Sequence, residues 1–218
     1  MISLDTFLLF VVACVPVVLA PGPSVALIVT TALTSGPRAG ALVVAGVEVG
    51  YLVHVVAAAL GLSALLAASA EAFTIVRVLG AAYLVWLGIQ AWKSKDTTPL
   101  GELAKKRDSA PSDQRSFRNG LVVGVLNPKT AIFFLAFLPV FVDPANGSTV
   151  TQFVLLGLTF VLLATVPDMT WALGASGLRR LMPHVKLRTM ERVSGTVMFG
   201  LAGYALATAI GPTSVTSQ

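Results

Sequence analysis

The stretch LAPGPSVALIVTTALTSG, Leu19 to Gly36, lies within an apolar N-terminal run and places Pro21, Gly22 and Pro23 in its interior. A proline inside a helix removes a backbone hydrogen bond and clashes with the preceding turn. The residues on either side nevertheless keep the apolar pattern, from about Leu4 to Thr34. About 31 residues at ~1.5 Å rise make a helix of ~46 Å, against ~30 Å for a bilayer core. One membrane span, broken at Pro-Gly-Pro, reconciles the length with the prolines.

Five further apolar segments follow, over roughly 39–68, 71–93, 117–142, 150–177 and 190–211. Each reaches the ~20 residues that a spanning helix needs. The expected fold is therefore an all-α integral membrane protein with six transmembrane helices, helices 1 and 4 being broken. Composition agrees: 56% of residues are hydrophobic, 11% are charged and the mean hydropathy is +0.85. Soluble domains average about 25% charged residues. The single cysteine, Cys14, excludes an internal disulfide and any CxxC redox or zinc motif. His54 and His184 are too far apart in sequence to suggest a His-rich metal site. The N-terminal run is preceded by Asp5 and by no Lys or Arg, so it reads as a retained span rather than a cleaved leader.

The net charge of +5 resides in the links rather than in a nucleic-acid-binding patch. Lys93, Lys95, Lys105, Lys106, Arg107, Arg115 and Arg118 join the third and fourth segments. Arg179, Arg180, Lys186, Arg188 and Arg192 join the fifth and sixth, and Arg38 lies between the first and second. The positive-inside rule makes these links cytoplasmic and puts both termini on the periplasmic side. Arg77 then snorkels to the outer interface. Residues 94–116 form a polar cytoplasmic linker within one transmembrane domain, 1–218. It separates a first three-helix repeat, 1–93, from a second, 117–218, which three spans per half make inverted.

The halves share a local pattern. Pro23-Ser24-Val25-Ala26 of helix 1 corresponds to Pro128-Lys129-Thr130-Ala131 of helix 4. Interrupted hydrophobic segments at corresponding positions of two halves mark transporter binding sites. Each break reads as a helix restart with Pro at the first position, capped by Gly22 or by Asn127. The restarts leave N–H groups unsatisfied on Ser24, Val25, Lys129 and Thr130, and the prolines free the carbonyls of Val17, Leu19 and Gly124. In hydrocarbon such groups are tolerated where they are buried in protein or line a cavity. A plain proline kink explains either break alone; the matched pair favours a cavity. The candidate substrate-binding residues are Pro21, Gly22, Pro23, Ser24, Asn127, Pro128, Lys129 and Thr130.

Glu48, His54, Lys129 and Asp168 are ionisable groups inside the apolar segments. Each costs at least about 2.5–3.5 kcal/mol at bilayer depth, so it faces the bundle interior or water. Lys129 adds its charge to the positive end of a restarted helix and suits a carboxylate; its alternative is snorkelling. Glu48, Tyr51 and His54 recur at three-residue spacing beside Gly46 and Gly50, whose GxxxG step permits close helix approach. For His54 the plainer role is a structural hydrogen bond. Asp168 follows Pro167 and shares a face with Thr165 and Trp171; a position near the inner interface is its alternative. Glu48, Tyr51, His54 and Asp168 are the candidates for coupling to protons or another ion. No GxSxG, HExxH or P-loop occurs, so neither an enzyme, a metal site nor a cofactor is expected.

The stretches APGPSVALIVTTALTSGPRAGALVVAGVEVGYLVH, ALGLSALL, VRVLGAAYLVWLGIQAWKS and FRNGLVVGVLNPKTAIFFLAFLPVFVDP together resemble the LysE/RhtB family of bacterial amino-acid exporters. The resemblance implies an inner-membrane antiporter that exports small amino acids or their derivatives using the proton motive force. Many members carry an acidic residue directly after the second glycine of the helix 2 GxxxG. Here that position is Tyr51, and Glu48 lies one turn earlier. A membrane scaffold without transport and a passive channel are the alternative functions. Gly195, Gly200 and Gly203 are consistent with a homodimer contact.

Overall fold

The computed structural model describes residues 2–20, 22–93, 112–181 and 187–210. Pro21, His184, Lys186, the linker up to residue 111 and the side chains of Arg77, Arg179 and Arg180 lie outside the described residues. All regular structure among the described residues is helical.

Helices α1, Leu4–Leu19, and α2, Pro23–Ser35, meet at 53° around Gly22. Gly36 alone separates α2 from α3, Pro37–Ala57, and its φ of 89° is the left-handed conformation that glycine adopts without a Cβ penalty. A π-helical turn, Ala58–Leu62, continues α3 into the short α4, Ser63–Ala68. Helix α5 spans Ala70–Lys93. Helix α6, Asp113–Leu126, starts where the Ser112 hydroxyl accepts from the Arg115 N–H at 3.3 Å. Helix α7, Pro128–Ile132, runs on through a π-helical turn to Phe137 and a 3-10 turn to Phe141, and α6 meets this run at 41°. Helix α8, Thr149–Leu181, carries Pro167 without interruption, and α9 is Leu187–Ile210.

Pro37–Ala68, Glu71–Lys93 and Thr149–Gly174 are each long and apolar enough to cross a membrane, and the two bent pairs raise the number to as many as five. The expected six is therefore not reached on length and composition among the described residues. The sixth expected segment is the helix α9, which is not among these five. Both expected breaks fall where the prolines put them.

Packing is closest between α3 and α6. A Cβ added at Gly50 would lie 2.7 Å from the Val125 nitrogen and 2.8 Å from Gly124 Cα. Gly46 meets the Phe117 carbonyl, and Gly120 meets that of Val43, just as closely. The Gly46–Gly50 step thus faces a second step of the same spacing, Gly120–Gly124, and the two backbones touch directly. Helix α3 also packs on α8, which contacts α1 and α2 as well, and α5 lies along α9. Gly195 belongs to that last contact, 2.9 Å from the Gly88 carbonyl for an added Cβ, so it serves packing within the chain; Gly200 and Gly203 face open space.

Phe10, Phe133, Phe134, Phe137 and Phe153 are fully buried, and Phe160 is buried beside them. Phe133 stacks on Phe160 at 4.4 Å between centroids and fixes the π-helical turn against α8. Leu79, Leu162 and Val166 instead point outward at 63%, 70% and 69% exposure, as lipid-facing side chains do. After the fourth segment Gln152 pins the turn: its Oε1 accepts from the Asp143 N–H at 3.0 Å and its Nε2 donates to the Asp143 carbonyl at 2.8 Å. Gln152 is buried, and Gln152→Leu leaves the Asp143 N–H unpaired, whereas the Asp143 carbonyl keeps the Asn146 N–H at 3.1 Å. The expected cost is about 1–3 kcal/mol for the unpaired group, read as a lower unfolding midpoint in detergent; an unchanged midpoint contradicts it.

Candidate functional site

The two breaks assemble one polar site. Gly22 is extended, at φ −147° and ψ −165°, and caps α2; its carbonyl accepts from the Ala26 N–H at 3.0 Å. Asn127 caps α7 as the sequence predicts, its Oδ1 accepting from the Lys129 N–H at 3.0 Å. That bond removes Lys129 from the N–H groups expected to be unsatisfied. The Asn127 Nδ2 donates to Ser24 Oγ at 2.9 Å, and the Tyr51 hydroxyl donates to the same oxygen at 3.2 Å. Ser24 therefore joins both restarts to α3.

Lys129 reaches the other side of the first break. Its Nζ donates to the Val17 carbonyl at 3.0 Å and to the Ala20 carbonyl at 2.6 Å. These are terminal carbonyls of α1, where the helix dipole favours a cation. Val17 is one of the carbonyls expected to be free; Ala20 takes the place expected for Leu19. The third, Gly124, lies 3.3 Å from His54 Nε2. His54 also stacks on Phe134 at 6.0 Å, which fits a structural hydrogen bond.

Asp168 comes from α8 and is 4% exposed. With Phe160 and Ala164 it forms a stripe at four-residue spacing along one helix face. The Thr165 hydroxyl, expected on that face, instead donates to the Val161 carbonyl at 2.8 Å. Asp168 and Lys129 interact electrostatically without forming an ion pair, so their charged atoms are more than 4.0 Å apart.

Between them lies a cavity of about 20 Å³. Helices α1 and α2 contribute Val17, Val18, Ser24 and Val25, with Gly22 at the break, and α3 contributes Tyr51. Asn127, Lys129 and Thr130 close the second break, and the α8 stripe closes the far side. This volume holds a water molecule and is too small for an amino acid. Pro23 and Pro128 start the helices beside the cavity without lining it.

Glu48 and His54 also stand off the wall. Glu48 is 9% exposed, and both its carboxyl oxygens are buried without a hydrogen-bond partner. It lies one turn before Tyr51 and interacts electrostatically with Asp168. Phe160 and Ala164 were not singled out from the sequence. Their only signal there is the four-residue spacing back from Asp168. Among the described residues no group of three or more His, Cys, Asp or Glu side chains is placed to hold a metal ion.

Known proteins resemble this chain in sequence. The LysE type translocator family matches residues 15–209. A homoserine/homoserine lactone efflux protein of Salmonella typhi is 33% identical over 196 residues, covering 88% of this chain and 90% of its own. A leucine efflux protein of Enterobacter sp. (strain 638) is 31% identical over 158 residues, covering 72% and 74%. An uncharacterized membrane protein of Vibrio cholerae is 32% identical over 209 residues, covering 95% and 98%. No solved structure matches. A membrane-type helical bundle, two helix breaks meeting at a polar cavity, and a family match over nearly the whole length make this chain a member of the LysE type translocator family, a transporter and not an enzyme.

Proposed function

We propose that the protein is a secondary active exporter of amino acids or small amino-acid derivatives, coupled to protons, in the bacterial inner membrane. The observation that carries this reading is the separation of Lys129 and Asp168 across a cavity built from two helix breaks. A zwitterion supplies the two charges that such a pair lacks. Its carboxylate meets Lys129 and the N-terminal ends of α2 and α7, and its ammonium meets Asp168. Relatives named as homoserine and leucine efflux proteins support the same class of solute.

Glu48 supplies the proton site. A carboxyl buried without a partner is protonated or must find a counter-charge. Tyr51, one turn on, connects its neighbourhood to Ser24 at the cavity. Six spans arranged as inverted halves fit the packing: α6 lies on α3 of the second span, and α1 and α2 lie on α8 of the fifth. Rocking of the halves about the α3–α6 contact, with the two breaks turning, then exposes the cavity to either side, with both termini periplasmic.

The test is transport by purified protein in liposomes. With amino acid on both sides, an imposed proton gradient is expected to drive uphill solute movement. Flux that ignores the gradient identifies a channel, and absence of flux identifies a scaffold; either result overturns the proposal. Glu48→Gln is expected to keep solute exchange and to lose gradient-driven accumulation. Unchanged accumulation removes Glu48 from the coupling role.

A further inference from the structure

The α8 stripe has a polar end and an apolar end. Asp168, Ala164 and Phe160 are four residues apart, about 6 Å per step along the axis. At the Asp168 end stands Lys129, which interacts with it electrostatically. Toward Phe160 the wall is aromatic: Phe160 is stacked on Phe133 and its ring lies 6.0 Å from that of Tyr51, and Val17, Val18 and Val25 add aliphatic lining to the cavity. Lys129 and Asp168 are the charged side chains of the wall, equal and opposite. A neutral zwitterion matches them. A third charge, carried out along the stripe, meets no further charged partner among the wall's side chains and is costly to bury.

We propose that the transported solute is a neutral amino acid with an aliphatic side chain, and that Ala164 sets how large that side chain can be. The α-ammonium sits at Asp168, the carboxylate at Lys129, and the side chain lies over Ala164 toward Phe160. This assignment rests on the exporter reading and names the substrate class of the same cavity. Opening the cavity beyond its present volume adds room along the α8 stripe, because Ser24, Asn127 and Tyr51 tie the two breaks and α3 to one another.

The experiment is counterflow in liposomes preloaded with labelled leucine. External leucine, valine, alanine, lysine, glutamate and leucine methyl ester are compared. Leucine and valine are expected to exchange, whereas lysine, glutamate and the ester, which lacks the carboxylate, exchange at least about tenfold more slowly. Ala164→Leu is expected to lower the leucine-to-alanine preference by about tenfold or more, the usual worth of one or two methylenes in an apolar pocket. Ala164→Gly moves the preference toward larger side chains and covers the case in which the leucine variant does not fold. Lysine or glutamate exchanging as fast as leucine overturns the substrate class and leaves the exporter reading intact. An unchanged size preference in a folded Ala164 variant overturns the role of Ala164. No exchange with any amino acid overturns the exporter reading and this inference with it.

Discussion

Gly50→Val is expected to remove most of the folded protein. The new Cβ would fall 2.7 Å from the Val125 nitrogen and 2.8 Å from Gly124 Cα, and both are backbone atoms that no rotamer change moves aside. Helices α3 and α6 must then separate along their whole glycine contact. Overpacking of an ordinary core costs about 1–3 kcal/mol, because side chains absorb part of the strain. At the four glycines backbone meets backbone, so the cost belongs at or above the upper end of that range. The separation also draws Tyr51, one residue on, away from Ser24. The measurement is the yield of monodisperse protein in detergent together with its unfolding midpoint. Gly200→Val, where an added Cβ meets open space, is the control and is expected to behave as wild type. A Gly50→Val protein as stable as that control contradicts the backbone contact.

Lys129→Met is expected to reduce amino-acid exchange by a hundredfold or more with the protein still in the membrane. The substitution keeps an unbranched apolar stem and removes the ammonium. Two charge-assisted bonds to the Val17 and Ala20 carbonyls are lost, and the cavity keeps only the Asp168 charge. A hydrogen bond to a charged group contributes about 1.5–3 kcal/mol, and a solute carboxylate that loses its contact with the ammonium at the upper end of that range loses about a hundredfold. Asp168→Asn is expected to match it, since it removes the opposite pole while keeping the shape. Counterflow rates, normalised to membrane protein by immunoblot, provide the check. Full activity in both variants would sink the assignment of the two poles.

Local chemistry made much of this legible. A proline has no N–H, and where a capping residue precedes it, as Gly22 does Pro23 and Asn127 does Pro128, it places the break; Pro16 and Pro167 follow valines and leave their helices intact. Asn127 before a proline is a cap by its own side chain, and the structure uses it so. What the freed groups bind is another matter, because those partners are remote in sequence. The Lys129 ammonium meets carbonyls of α1 more than a hundred residues away, and Asn127 meets Ser24 at a similar separation. Hydropathy cannot express such pairings. Glycines show the same limit. Gly195 and Gly200 look alike in the sequence, yet one is pressed against Gly88 and the other faces open space. Of the two π-helical turns, Phe133–Phe137 lies just before Pro139, which cannot donate to the Leu135 carbonyl, whereas Ala58–Leu62 has no proline near it to announce it.

The direct contact of α3 with α6 also decides where the molecule can bend. Helices separated by interlocking side chains can slip by small rotamer adjustments, the shear mode of domain motion. Gly46, Gly50, Gly120 and Gly124 leave no such layer, so sliding would drive carbonyl oxygens of one helix over the backbone of the other. The pair acts mechanically as a keel. Pivoting falls instead to the points where the backbone ladder is already interrupted, Gly22 between α1 and α2 and Asn127 between α6 and α7. Those are also the joints on which the cavity is mounted, so a turn of either joint changes the grip on whatever lies inside.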